Sequence, residues 1–177
     1  MPSAEFITDS QLYRRVILDR IFNAKHFVWI ATSDIKDMHV RKNAKMVPFL
    51  AILSDLIKSR VSVRLIHAKE PGPNFRNDFD RYPNLIDGIE RLLCPRVHFK
   101  SIVVDAAFAY TGSANLTGAG LGAKSPNRRN FEAGIITTDD FLIDGIMKQF
   151  DEVWTGSHCK KCGRKQFCAD FLDMNNR

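Results

Sequence analysis

The sequence predicts one α/β domain, and three observations lead there. At 177 residues, 45% of them hydrophobic, the chain can bury a single core and would be stretched to build two. Short runs rich in β-branched and aromatic residues alternate with segments of helical apolar spacing, a βαβ rhythm between residues 26 and 66. No linker and no low-complexity run divides the chain.

Leu12, Val16, Ile17, Ile21 and Phe22 recur at helical spacing, so 10–24 is expected to be an amphipathic helix with Arg14, Arg15 and Arg20 mostly off its apolar face. A strand is expected at 26–31. The segment 37–45 is polar and basic, and 47–58 reads as a second helix leading into a strand at 61–66. Pro71, Gly72, Pro73 and Asn74 break the chain, and a helix is expected over 83–93 with Pro83 in its first turn. Residues 97–105 and 108–111 read as strands joined by a tight turn near Ala106 and Ala107. A loop at 118–130, carrying Gly118, Gly120 and Gly122 with Lys124, Arg128 and Arg129, leads into a strand at 131–137. Asp139 or Asp140 can cap a helix to about residue 154, with Leu142, Ile146, Phe150 and Val153 inward. Residues 1–156 form the expected catalytic domain, and 157–177 a short, basic, cysteine-rich tail packed on it.

The formal charge of +6 leans toward polyanionic partners, because lysine and arginine neutralise phosphates and release counterions. Residues 1–10 lack the basic start and apolar run of a signal peptide, and no stretch has the length of a membrane span. A soluble cytoplasmic protein with no membrane partner is the expectation.

The chemistry concentrates in one stretch. His98, Lys100, Asp105, Gly112, Ser113 and Asn115 stand in the order H-x-K-x4-D-x6-G-S-x-N, with Thr117 just beyond and Glu132 further on. Residues two apart on a strand share a face, so His98 and Lys100 are expected to set a nucleophilic imidazole beside a cation, with room for a phosphate between them. Ser113 and Asn115, at the turn ending the next strand, can donate to non-bridging phosphate oxygens as charge develops there. An imidazole attacks phosphorus only through an unprotonated nitrogen, which requires an acceptor to orient the other one. Glu132 is the candidate for that role and Asp105 for structural or electrostatic support, two assignments that can be exchanged. Lys100 and the donors supply the positive field, so catalysis needs no metal cofactor. A lone strand histidine or Gly-Ser turn is ordinary structure; six positions in register are hard to explain that way. His67-Ala68-Lys69 also spells H-x-K, but Asn74 stands where the aspartate would be and no G-S-x-N follows, so it reads as a decoy.

This order resembles the signature of the phospholipase D superfamily, with no position missing, and Asn130-Phe131-Glu132 looks like the acidic element found with it in the superfamily's small nucleases. The resemblance spans 97–132. It implies a mixed β-sheet flanked by helices on both faces, and a phosphodiesterase that works through a phosphohistidine at His98. Gly112, Thr117, Arg128 and Arg129 complete the expected substrate-binding set. The family chemistry uses two copies of the motif, one histidine attacking and the other protonating the leaving oxygen. This chain holds one, so the resemblance implies a symmetric homodimer that pairs His98 with itself. A monomer using His67 or His39 as the acid is the alternative.

The superfamily cleaves phosphodiesters in nucleic acids and in lipids, and the motif does not separate them. Excess cations and Arg128-Arg129 favour a metal-independent nuclease on DNA or RNA. A phospholipase or phosphatidyl transferase comes second, with Phe75, Phe79, Tyr82 and Leu85 as an acyl groove, although that spacing suits a core. A catalytically silent nucleic-acid-binding module is third.

Cys159-x2-Cys162-x5-Cys168 has ligand-like spacing, and Cys94 is the remaining cysteine. Four thiolates make one tetrahedral site, and the pattern resembles the iron-sulfur staple of certain DNA-repair and CRISPR-associated nucleases; zinc fits as well. His158 could replace Cys94. Such a structural zinc or [4Fe-4S] cluster would tie the tail to the segment before His98. Lys160, Lys161, Arg164 and Lys165 sit among the ligands.

Overall fold

The computed structural model describes residues 3–36 and 38–171. The chain starts with β1 (Ala4–Thr8) and a helical passage made of α1 (Ser10–Leu12), a π-helical stretch Tyr13–Leu18 and a 3-10 turn Ile21–Asn23. β2 (Phe27–Thr32), a small hairpin of β3 (His39–Lys42) and β4 (Lys45–Pro48), α2 (Phe49–Lys58) and β5 (Ser62–His67) follow. Next come α3 (Pro73–Asp80), α4 (Asn84–Gly88) and β6 (Ile89–Leu93), then β7 (Lys100–Val104), β8 (Phe108–Gly112), β9 (Ala133–Thr137) and α5 (Asp140–Trp154). Seven strands form one sheet in the order β1-β9-β8-β7-β2-β5-β6. β2, β5 and β6 run parallel, and the other neighbours pair antiparallel. The connections dictate this: helices return the chain between the parallel strands, whereas Asp105, Ala106 and Ala107 alone join β7 to β8 and force a hairpin.

Alternate residues of each strand serve opposite faces. Val28, Ile30, Leu65, Ile102 and Tyr110 pack under Leu12, Ile17, Phe49 and Leu53 in the main core. On the other face α5 lays Phe150 and Ile143 against Ala31, Ile66, Val103 and Ala109. Phe150 stacks on Trp29 at 5.0 Å and on Trp154 at 5.8 Å, and the Arg64 guanidinium lies 5.4 Å from the first ring and 5.1 Å from the second. Asp139 is the cap, its carboxylate accepting the Leu142 N–H at 3.1 Å. α5 leaves β9 and β1 uncovered on this face: Phe6 is 67% exposed and its register partner Ile135 is 44% exposed.

Several elements differ from the sequence expectation. The buried positions Leu12, Val16, Ile17 and Ile21 repeat every four to five residues, longer than an α-turn, and the chain meets that spacing with an i→i+5 bond from Asp19 N–H to the Arg14 carbonyl at 2.9 Å. The expected helix over 83–93 ends at Gly88, where only a glycine fits against the Ile57 side chain, and Ile89, Leu92 and Leu93 are buried beyond it as an edge strand beside β5. The break at Pro71–Asn74 starts α3, with Pro73 at its first position and Phe75 buried. The polar stretch 37–45 holds the β3–β4 hairpin, whose turn places Asn43 and Ala44 at positive φ; Asp37 lies outside the described residues. The motif strand begins at Lys100 rather than 97, so His98 stands in the extended segment just before it.

Candidate active site

One row of register crosses four strands, with Lys100 beside Gly112, Gly112 beside Gly134 and Gly134 beside Ile7. The segments just past that row carry His98, Ser113 to Asn115, Glu132 and Asp9. This end of the sheet is also the carboxyl end of β2 and β5, the end where open α/β sheets bind ligands. Gly112 makes the convergence possible. A Cβ at that position would meet the Ala133 carbonyl, the Tyr110 hydroxyl at 2.6 Å and Gly134 Cα at 2.7 Å, so glycine is what lets the strands approach here.

Asn115 is the most constrained side chain of the site. Its Oδ1 accepts from Ser33 Oγ at 2.8 Å, Asp34 N–H at 3.1 Å, Ser33 N–H at 3.2 Å and Thr32 Oγ1 at 3.2 Å. Donors on every side fix the amide so that Nδ2 is the group left to donate outward. Thr117 is buried and its Oγ1 accepts the Gly120 N–H at 2.9 Å, which ties it into the turn that follows Asn115. Ser113 Oγ donates to Glu132 Oε2 and accepts the Ala133 N–H at 3.2 Å. Asn130 Nδ2 donates to Glu132 Oε1 at 3.0 Å. The Glu132 main chain is fixed from the N-terminal side: its N–H donates to Asp9 Oδ1 at 3.1 Å and its carbonyl accepts the Asp9 N–H at 2.9 Å.

His98 is exposed, while Lys100 is buried and curls back so that Nζ donates to the His98 carbonyl at 2.6 Å. The cation therefore braces the histidine's own backbone. Within one chain Glu132 is taken up by Ser113 and Asn130, and no hydrogen bond among the described residues joins it to the His98 ring. Asp105 sits at the opposite end of β7, where its carboxylate accepts the N–H groups of Lys25 at 2.8 Å, His26 at 2.8 Å and Phe27 at 2.9 Å. Of the roles expected for Asp105, structural support is the one this placement fits. Burial alone would raise its pKa, but the bonds from Phe27, Lys25 and His26 outweigh that and hold the carboxyl below its ordinary value.

An open cleft of about 630 Å³ adjoins Asn115, Thr117 and Asn130, walled by Lys36, Lys69 and Lys124 as well as Asp34 and Glu70. Lys36 is paired with Asp34 at 3.1 Å, which leaves Lys69 and Lys124 as its main cations. Sequence reasoning missed Lys36 and Lys69; the signal was their position just past the ends of β2 and β5. Arg128 and Arg129 do not line this cleft. Leu85 is buried in the main core and Phe79 and Tyr82 pack on it, while Phe75, also buried there, reaches the wall of the cleft. His67 is buried with Nδ1 2.8 Å from the Lys69 carbonyl, and burial lowers its pKa, which suits a neutral ring and not a general acid.

The cysteines lie around the segment that follows β6. Cys168 Sγ is 3.6 Å from the Leu93 carbonyl, and burial, with smaller contributions from Cys94 and Cys159, pushes its thiol up. The Arg164 N–H points at Cys162 Sγ at 3.5 Å and lowers that thiol. His158 Nε2 faces Glu152 at 3.3 Å instead. As the side chains stand, no three His, Cys, Asp or Glu groups among the described residues are gathered closely enough to hold a metal ion. Residues 172–177 of the expected tail lie outside the described residues.

Residues 17–154 match the family model described as cardiolipin synthase, PLD-like domain. The fold is similar to that of Nuc from Salmonella typhimurium, a phospholipase D family member (TM-score 0.64, 18% identity, covering 88% of this chain and 95% of that one). It is also similar to phosphatidylserine synthase from Haemophilus influenzae Rd KW20 (0.60, 14%, 85% and 38%). A third similar structure is TrmBL2, an archaeal chromatin protein with a novel mode of DNA binding (0.55, 12%, 87% and 52%). Among curated proteins, none matches this sequence.

Proposed function

Since the chain belongs to the phospholipase D superfamily, we propose that it is a metal-independent nuclease whose active unit is a homodimer. The observation that carries this reading is Asn115: its oxygen is saturated by the loop after β2, which aims the amide donor outward beside a lysine-walled cleft, the field a phosphodiester requires. His98 attacks phosphorus and the P–O bond to the leaving group breaks, its oxygen taking a proton from the His98 of a second copy. Water, deprotonated by that same second imidazole, then opens the phosphohistidine and restores both rings. The exposed Phe6 and Ile135 on the uncovered face of β1 and β9, together with Phe131 at 97% exposure beside Glu132, offer apolar surface for a second copy to cover.

Nucleic acid is favoured over lipid because the cleft presents lysines, while the aromatic residues that could have held acyl chains are in the core. The likeness to a DNA-binding chromatin protein agrees with this, and the likeness to phosphatidylserine synthase keeps lipids as the second reading. No helix among the described residues is long and apolar enough to cross a membrane. The test is cleavage of fluorescent DNA and RNA oligonucleotides in EDTA by the wild type and by His98→Ala, with phosphatidylcholine hydrolysis in parallel. Cleavage that survives EDTA and is abolished by His98→Ala is expected. Hydrolysis of phosphatidylcholine with intact oligonucleotides would replace the nuclease reading by the lipid one, and salt-sensitive binding without cutting would make the protein a silent binding module.

A further inference from the structure

The four cysteines take no part in the phosphate chemistry, and three of them belong to a tail that the fold lays beside the residue preceding the fourth. Cys94 follows directly on β6, and its N–H donates to the His67 carbonyl at 2.9 Å, so its backbone is fixed by the sheet. The tail is strapped across this point: Asp170 Oδ2 accepts the Leu93 N–H at 2.7 Å, and Cys168 Sγ contacts the Leu93 carbonyl. Cys168 is thereby set beside the residue that directly precedes Cys94. Cys159 and Cys162 belong to one turn, closed by a bond from Cys162 N–H to the Cys159 carbonyl at 3.0 Å, and the Arg164 N–H is aimed at the Cys162 sulfur.

A backbone N–H directed at sulfur is the kind of outer contact that supports a metal-bound thiolate. A divalent ion held by four thiolates carries two net negative charges, and along the chain Arg96 follows Cys94 by two residues while Lys160, Lys161, Arg164 and Lys165 stand among the tail cysteines. We propose that Cys94, Cys159, Cys162 and Cys168 together bind one zinc ion that fastens the tail to the segment leading into His98. The sulfurs close on the ion as four thiol protons leave to solvent. His158 stays outside the set, with its ring turned to Glu152. The clip joins the ends of a long loop through β7, β8, β9 and α5, and it does so independently of the phosphodiesterase reading.

The full chain, purified without chelator, is tested by elemental analysis, by thiol titration in the folded state and by cobalt exchange. One zinc per chain is expected, with all four thiols unreactive until the metal is stripped, and cobalt giving the thiolate charge-transfer band and d–d spectrum of a tetrahedral sulfur site. Cys159→Ser loses the metal; Cys162→His retains it with a shifted cobalt spectrum even if Cys159→Ser fails to fold; His158→Ala keeps full zinc. Four reactive thiols with no metal, a disulfide among them, or a brown iron-bearing protein would each overturn the proposal.

Discussion

Replacing Asp105 with Asn removes a charge while keeping the side chain's size and its tolerance of the left-handed backbone at φ 55°. In the wild type Oδ1 accepts from His26 and Phe27, and Oδ2 from Lys25. An asparagine oxygen can keep the first two as neutral bonds, but its NH2 then faces the Lys25 N–H, donor against donor. Charge-assisted bonds contribute about 1.5–3 kcal/mol and neutral ones about 1 kcal/mol. With the Lys25 and His26 groups near solvent and able to find water, the loss should be about 2 kcal/mol, or about 4–8 °C in Tm for a chain of this length. The sign with pH follows from the lowered carboxyl. Its stabilisation is fully present above the unfolded value near ~3.9 and is lost as pH falls through the lower folded value. Calorimetric melts should therefore show a constant gap between wild type and Asp105→Asn from neutral pH to about pH 5, closing in stronger acid. Turnover of the folded variant, measured well below its melting temperature, should stay within about twofold of the wild type, since the residue lies at the far end of β7. A variant that melts with the wild type but has lost cleavage would refute this reasoning and return Asp105 to the chemistry.

Asn115→Asp keeps the acceptor used by Thr32, Ser33 and Asp34 but turns the outward donor into a carboxylate oxygen, so turnover should fall about 100- to 1,000-fold with an unchanged circular-dichroism melt. Gly112→Ala should destabilise by about 1–3 kcal/mol in urea titrations, because the new methyl meets the Ala133 carbonyl and the Tyr110 hydroxyl. Lys69→Ala combined with Lys124→Ala should weaken oligonucleotide binding and reduce the slope of log affinity against log salt by about 2 in fluorescence anisotropy, while Lys36→Ala, whose partner is Asp34, should do less.

Periodicity made the strands β2, β5, β7 and β8 and the helices α2 and α5 legible, because each has a clear apolar face. It failed where a second constraint overrode it. Ile89 to Leu93 looked like the end of a helix, and only the open edge of β5 makes it a strand. Leu12, Val16, Ile17 and Ile21 carry an apolar spacing that stretches beyond an α-turn, and that stretch is the sequence signal of the π-helical passage. In the site, the motif order singles out His98, Ser113 and Asn115, which the fold brings to one end of the sheet. It could not say that Lys100 turns inward to the His98 carbonyl or that Thr117 and Gly112 serve the turn and the strand approach, because those depend on which neighbours reach each atom. Lys69 stayed hidden for a related reason: it follows a histidine that belongs to the core, and only the topology carries it to the cleft.

The pairing of Asp9 with Glu132 bears on how this protein can be cut down or fused. The stretch that matches the family starts at residue 17, so β1 and Asp9 fall outside it, although both main-chain bonds framing Glu132 come from Asp9. The φ of 48° at Asp9 and the glycine at 122, where a Cβ would press against Asp9 and Ser10, show how closely that corner is fitted. A fragment trimmed to the matched region would keep the whole H-x-K motif and still lose the frame of its acid. A bulky tag joined directly ahead of β1 would pull on the same strut.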